Sequence, residues 1–172
     1  GCGPGTFGIL AATRGAVAVD VDRSRAMLDA ARGAHPAALV IGGDVADLPL
    51  RDGAAALTHV ERVLQWAPDP GAALAELARV TAPGGRLAVT DTDWSAFRLE
   101  HDEPRIADRW SAAALGWVPH ARLAATLPER LRALGCGDIE VRHDRVTITA
   151  WNPDDPARAD GPPGLPLRSI GA

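Results

Sequence analysis

The chain opens on Gly1-Cys2-Gly3-Pro4-Gly5, and the next β-branched run, Ala16 to Asp22, ends in an acid. Glycines at that spacing let a backbone approach a ligand closely and aim amides at it. A carboxylate closing a strand is placed to accept both hydrogen bonds of a ribose diol. Glycine-rich turns are common and carry little weight alone. Here the turn is followed by a helix over Thr6 to Thr13 and then by the strand with its terminal acid. Together these predict a nucleoside-binding half-fold. Asp20 is a rival to Asp22, because alternate strand residues face the same way. The spacing onward to Met27-Leu28 favours Asp22. A dinucleotide turn would call for Gly-x-Gly-x-x-Gly, and Thr6 stands where the last glycine belongs. Hydride transfer is set aside.

The elements that must hold these residues alternate along the chain. After the strand Ala16 to Asp22 comes a helix over Arg23 to Gly33, then strands over Ala37 to Gly43 and Ala55 to Val63. Ala73, Leu74, Leu77 and Val80 recur at helical spacing within Pro70 to Thr81, and Pro83-Gly84-Gly85 turns the chain into a strand over Arg86 to Thr90. Helices are expected over Pro104 to Leu115 and over Leu127 to Leu134, the latter stopped at Gly135. Asp138 to Trp151 reads as one strand or a strand pair turning at His143-Asp144. This alternation predicts an α/β domain around a parallel sheet. The domain is expected over residues 1–151, with a proline- and glycine-rich irregular tail over 152–172.

Bulk properties narrow the partners. Hydrophobic residues make up 47% of the 172, enough for a folded core. A net charge of −4 with no basic stripe argues against nucleic acid and favours a small molecule. No apolar run reaches membrane-spanning length, and a cytoplasmic location is expected. Cys2 and Cys136 form no disulfide framework, and the five histidines lack metal-ligand spacing, so no metal is expected. The chain starts at Gly1 with its only methionine at position 27, which reads as a fragment.

Taken in order, these segments resemble the class I S-adenosylmethionine-dependent methyltransferases, in particular the ubiquinone/menaquinone-like small-molecule subgroup. The resemblance is carried by Gly1 to Thr6, Val21-Asp22-Arg23-Ser24 with Met27-Leu28, and Gly43-Asp44-Val45-Ala46-Asp47-Leu48-Pro49. It continues through Glu61-Arg62-Val63-Leu64-Gln65, Pro68-Asp69-Pro70, Leu74 to Val80, Pro83 to Leu87 and Asp91-Thr92-Asp93-Trp94. It implies a Rossmann-like three-layer sandwich and S-adenosylmethionine as cofactor. It also implies methyl transfer to a small-molecule acceptor, a natural product or quinone-like compound. By the same resemblance Gly1, Gly3 and Gly5 line the methionine end of the cofactor, and Asp22 holds the ribose. Asp44 and the Val45 amide hold adenine, and Glu61 and Arg62 face the methyl-transfer site.

Methyl transfer from a sulfonium is an in-line displacement whose rate comes chiefly from positioning. A base matters only where the acceptor must lose a proton. Glu61, His59 and His101 are the candidates. Against each stands a plain structural role. Glu61 could pair with Arg62 or Arg79, His59 could pack under a helix, and His101 could sit in a solvated loop. Trp94 and Trp110 could wall an acceptor pocket or serve as core. The family resemblance further implies a strand immediately before the glycine loop and more structure after Asp138, both absent here. The expectation is therefore a chain truncated at both ends. The alternative to an active enzyme is a non-catalytic remnant that binds cofactor weakly or not at all.

Overall fold

The chain divides into two compact units, Gly1–Ile139 and Glu140–Ala172. The computed structural model describes residues 1–146. The first unit alternates helices and strands as α1 (Thr6–Ala12), β1 (Val19–Asp22), α2 (Arg25–Ala34), β2 (Leu39–Gly42), β3 (Ala55–Glu61), α3 (Pro70–Val80), β4 (Thr81–Thr90), α4 (Pro104–Trp117) and α5 (Leu123–Ala133). Short 3-10 turns at Leu64–Trp66 and Trp94–Ala96 follow β3 and β4.

The strands form two parallel ladders. β1 pairs with β2, aligning Val19 with Leu39 and Asp22 with Gly42. β3 pairs with β4, aligning Leu57 with Arg86 and Glu61 with Thr90. Among the described residues the two ladders share no strand pairing. The opening segment bridges them instead. The Gly1 ammonium and the Cys2 amide both donate to the Val21 carbonyl, at 2.7 and 2.9 Å. Gly1 also lies so close to the Val63 side chain that an added Cβ would collide with it. In α1, Phe7 stacks on His59 of β3 with ring centroids 3.8 Å apart.

Local chemistry explains the helix ends. Asp69 caps α3, its Oδ1 accepting from the Gly71 and Ala72 amides at 2.8 and 3.0 Å, and Pro70 takes the first turn, where a missing N–H costs nothing. Gly135 closes α5 in the left-handed conformation at φ +84°. The core gathers on α3, where Leu74 and Val80 are almost wholly buried with Leu64, and Leu123 and Leu127 of α5 join them. Each such side chain contributes about 2 kcal/mol by leaving water.

Several boundaries differ from those the sequence suggests. The first strand begins at Val19 rather than Ala16, because Gly15 ends α1 with φ +76° and the Ala16 amide is spent on the Ala11 carbonyl. The glycine-containing turn at 83–85 does not separate α3 from its strand. β4 starts at Thr81 and absorbs Gly84 (φ +75°) in an irregularity of the β3–β4 register. α5 starts a turn earlier than expected and carries Pro128 in its interior. Burial of Leu123 and Leu127, four apart on one face, offsets the bond that proline removes. Asp138–Val146 carries no strand. Asp138 sits at φ +48° and the apolar side chains Val141 and Val146 are exposed. Residues 147–151 of that expected strand, and the tail 152–172, lie outside the described residues.

Gly85 tests the β3–β4 ladder. A Cβ there would meet the Ala82 and Ala56 carbonyl oxygens at 2.7 and 2.8 Å, and backbone atoms cannot swing away. Gly85→Ala is therefore expected to destabilise the fold by about 1–3 kcal/mol. Urea unfolding followed by tryptophan fluorescence would show this as a lower midpoint. A midpoint equal to that of the parent chain would contradict the register.

Candidate functional site

Of the expected site residues, Asp22, Asp44, Glu61 and Arg62 lie at or just past the C-terminal ends of β1, β2 and β3. At the end of β1, Asp22 turns its carboxylate onto the glycine loop. Oδ2 accepts the Gly3 amide at 2.9 Å and Oδ1 the Ser24 amide at 2.9 Å. A carboxylate offers about four acceptor positions, so roughly half remain for a ligand's hydroxyls. Beside it Gly3 adopts φ +55°, with nothing within 4 Å of where a side chain would begin. The Gly1 ammonium lies 4.0 Å from Asp22 Oδ2. Burial pushes its pKa down, partly opposed by the Asp22 charge.

Asp20 shares Asp22's side of β1, as alternation requires, and both are buried. Its neighbours differ. The Asp20 carboxylate lies under α1, 3.1 Å from where a Cβ on Gly5 would stand and in the way of any Cβ on Gly8. Burial pushes its pKa up, with His35 acting in the opposite direction. The two acids thus divide the work: Asp20 sits beneath the helix and Asp22 faces the open turn.

The Gly43 amide donates to the Asp22 carbonyl at 3.1 Å, which brings the end of β2 alongside. There Asp44 Oδ1 accepts the Ala46 amide at 2.9 Å and the Asp44 carbonyl accepts the Asp47 amide at 3.1 Å, a tight turn that leaves Asp44 exposed. Val45 is half-buried against the core. Asp44 is close enough for its charge to act on the Gly1 ammonium.

At the end of β3, Glu61 pairs with Arg62, Oε1 to Nε at 3.3 Å, with both side chains about half exposed. Arg62 is left-handed at φ +52°, where the chain leaves the strand. Arg79 is not Glu61's partner; it binds Glu76 and Asp52 at 2.7 Å each. His59 is held in the Phe7 stack, and burial pushes its pKa down, favouring the neutral ring. His101 is exposed ahead of α4, its Nδ1 accepting the Glu103 amide at 2.9 Å, and no contact among the described residues brings it to the glycine loop. Trp110 packs edge-on against Trp117. Trp94 instead follows β4 and reaches back to Gln65.

Two residues at these strand ends escape a reading by residue type. Asp91, directly after β4, accepts the Gln65 amide through Oδ2 at 3.0 Å and the Thr92 amide through Oδ1 at 2.9 Å. Burial pushes its pKa up, and the Thr92 and Gln65 amides pull against that. Gln65 is buried at 4% exposure within an otherwise apolar run. It lies in the 3-10 turn four residues past the end of β3, and the sequence marks it, like Asp91, only as part of a segment carrying the family resemblance. A shallow groove lined by Val19, Arg32, Pro36 and Leu39 lies at the opposite, N-terminal ends of β1 and β2. Among the described residues no group of three potential metal ligands gathers, and no helix is long and apolar enough to cross a membrane.

An open glycine turn, an acceptor-only carboxylate with unused positions and a second carboxylate nearby fit a ribonucleoside bearing a cationic group. Comparison with known proteins agrees. Residues 1–89 match the model of the methyltransferase domain. The chain is 42% identical over 85 residues to malonyl-[acyl-carrier protein] O-methyltransferase of Serratia marcescens, covering 49% of this chain and 33% of that protein. It is 33% identical over 156 residues to demethylmenaquinone methyltransferase of Streptomyces avermitilis, covering 82% of this chain and 68% of that one. The chain spans about a third of the length of the first curated relatives it matches. A Thermotoga maritima SAM-dependent methyltransferase superposes with a TM-score of 0.60 at 23% identity, over 78% of this chain and 60% of that one, and shows the Rossmann-like α/β fold. The chain belongs to the class I S-adenosylmethionine-dependent methyltransferases.

Proposed function

We propose that this chain is the catalytic core, over residues 1–151, of a cytoplasmic enzyme that moves a methyl group from S-adenosylmethionine to a small-molecule acceptor, a natural product or a quinone-like compound. The observation that carries this reading is Asp22, fixed against the glycine turn with acceptor positions to spare. In this reading Gly1, Gly3 and Gly5 cradle the amino-acid end of the cofactor and Asp22 takes the ribose hydroxyls. Asp44 and the Val45 amide take adenine. The bound cofactor supplies an electrophilic methyl on a cationic sulfur. The chain's own work is to align the acceptor and exclude water, which is where most of the rate arises.

Of the base candidates, Glu61 is placed best, at the end of β3 beside Arg62 and close in sequence to Val63, which touches Gly1. The stacked His59 and the exposed His101 serve packing and loop structure. The names of the relatives give acceptors as different as a malonyl-[acyl-carrier protein] and demethylmenaquinone. They support methyl transfer more firmly than any one acceptor.

Calorimetric titration of the full chain with S-adenosylmethionine and with S-adenosylhomocysteine tests the reading. Saturable heat with both ligands is expected. A folded sample with neither response would replace the enzyme with a non-catalytic remnant of the fold.

A further inference from the structure

Gln65, which is buried, pairs with the half-buried Trp94 beside the strand ends. Trp94 Nε1 donates to Gln65 Oε1 at 2.6 Å. An indole N–H can only donate, so the amide oxygen must face the ring and the NH2 group must point away from it. The Gln65 side chain cannot flip without setting donor against donor. Its backbone is fixed as well. The Gln65 amide donates to Asp91 Oδ2 at 3.0 Å and its carbonyl accepts the His120 amide at 3.2 Å. His120 is itself tied to the Ala67 carbonyl through Nε2 at 2.9 Å.

The NH2 group is thereby oriented, and among the described residues it is unused. Among the described residues Nε2 has no acceptor, although the residue as a whole is 4% exposed. Among the described residues the fully enclosed, unpartnered side-chain atom is His35 Nδ1, and Gln65 Nε2 is not of that kind. A buried amide donor held in one orientation and without an acceptor among the described residues invites one from a ligand. Its position fits. Gln65 follows the end of β3 and Asp91 follows the end of β4, and open α/β sheets bind ligands at such strand ends. Val63, two residues before Gln65, touches Gly1 of the glycine loop. Trp94 is half-buried and tilts against Phe97 at 5.8 Å, an apolar flank for a flat molecule.

We infer that the Gln65 side-chain amide is a specificity-determining donor that reads a carbonyl or carboxylate oxygen on the methyl acceptor, held in that orientation by Trp94. This rests on the methyl-transfer reading for its purpose, and on the hydrogen-bond geometry alone for its chemistry. It selects flat acceptors carrying an oxygen lone pair and disfavours those offering only N–H groups at that place.

The test follows the Gln65 side-chain amide in nitrogen–proton correlation spectra of the full chain, with benzoate and benzylammonium as probes. Benzoate is expected to shift that resonance and to bind at least roughly tenfold more tightly than benzylammonium. Gln65→Glu keeps the bond to Trp94 and turns the donor into an acceptor, so the preference should invert. Trp94→Phe keeps a ring but frees the amide to flip, and should erode the preference; it carries the test if Gln65→Glu does not fold. A Gln65 resonance unmoved by saturating benzoate, or a benzoate preference that survives both substitutions, overturns the inference. Cofactor calorimetry on the same sample is a separate readout. If S-adenosylmethionine fails to bind while benzoate still shifts Gln65, the methyl-transfer reading falls and the oxygen-reading site stands.

Discussion

Asp22→Ala will cost the chain its cofactor affinity, by roughly a hundredfold or to below detection, while leaving it folded. Two losses combine. The carboxylate positions facing the open turn disappear, and with them the acceptors proposed for the ribose hydroxyls. The Gly3 amide also loses its 2.9 Å partner, and that bond holds the loop at φ +55°. Asp22→Asn separates the two effects. Its single oxygen can keep one of the two amide bonds, but its NH2 then faces the other amide, donor to donor. Binding by the asparagine variant is expected to be weakened, but less than by the alanine variant. Asp20→Asn is the counter-control. Its carboxylate lies under α1, and burial already favours its protonated form, so a neutral amide there should preserve cofactor binding. Calorimetry on all three variants decides the matter. Equal losses at Asp20 and Asp22 would mean that the ribose acid has been misassigned.

That discrimination marks how much could be read from residue order. Alternation places Asp20 and Asp22 on one side of a strand and cannot say which meets the ligand. The structure separates them by what lies above each, Gly8 of α1 over one and Gly3 over the other. The parallel α/β order was legible because β-branched runs and helical periodicity alternate cleanly from Ala16 to Thr90. The end of the described chain was not. Asp138–Val146 alternates like a strand, yet alternation specifies only a face, and a strand also needs a ladder partner. The last helix is expected from Leu127, whereas packing of Leu123 starts α5 a turn earlier and carries it through Pro128. At the candidate site, Gly1, Gly3, Gly5 and Asp22 are proposed from type and spacing alone. Gln65 and Asp91 could not be, because what distinguishes them is contact across strand ends: the Gln65 amide on Asp91, and the Trp94 indole on Gln65.

The same dependence on long-range contact makes Arg79 the most exacting test of how the side of the site proposed for adenine is built. Its guanidinium reaches the loop after β2 at several points, donating to the Leu48 carbonyl at 3.1 Å, the Leu50 carbonyl at 2.8 Å and Asp52 Oδ1 at 2.7 Å. It also forks onto Glu76, with Nε to Oε1 and NH2 to Oε2 both at 2.7 Å. Glu76 Oε2 in turn accepts the Leu48 amide at 2.9 Å. The planar fork satisfies both ends of this arrangement together, which an ammonium cannot do. Arg79→Ala would leave the Leu50 carbonyl and the Asp52 carboxylate without their Arg79 donor, and Glu76 with the Leu48 amide alone, so a marked fall in Tm is expected. Arg79→Lys should recover only part of it. Weaker cofactor binding should accompany the fall, because the turn carrying Asp44 runs directly into Leu48. The effect also has a pH signature. The Arg79 hydrogen bonds, helped by the Leu48 amide, hold the Glu76 pKa down at about 2 against an ordinary 4.5. A depressed acid stabilises the fold above its unfolded pKa and loses that contribution as pH falls toward the folded value. The Tm gap between parent and Arg79→Ala should therefore be widest above pH 4.5 and close as pH approaches 2. A gap that stays constant across that range would mean that Arg79 acts through packing of its stem rather than through its bond to Glu76.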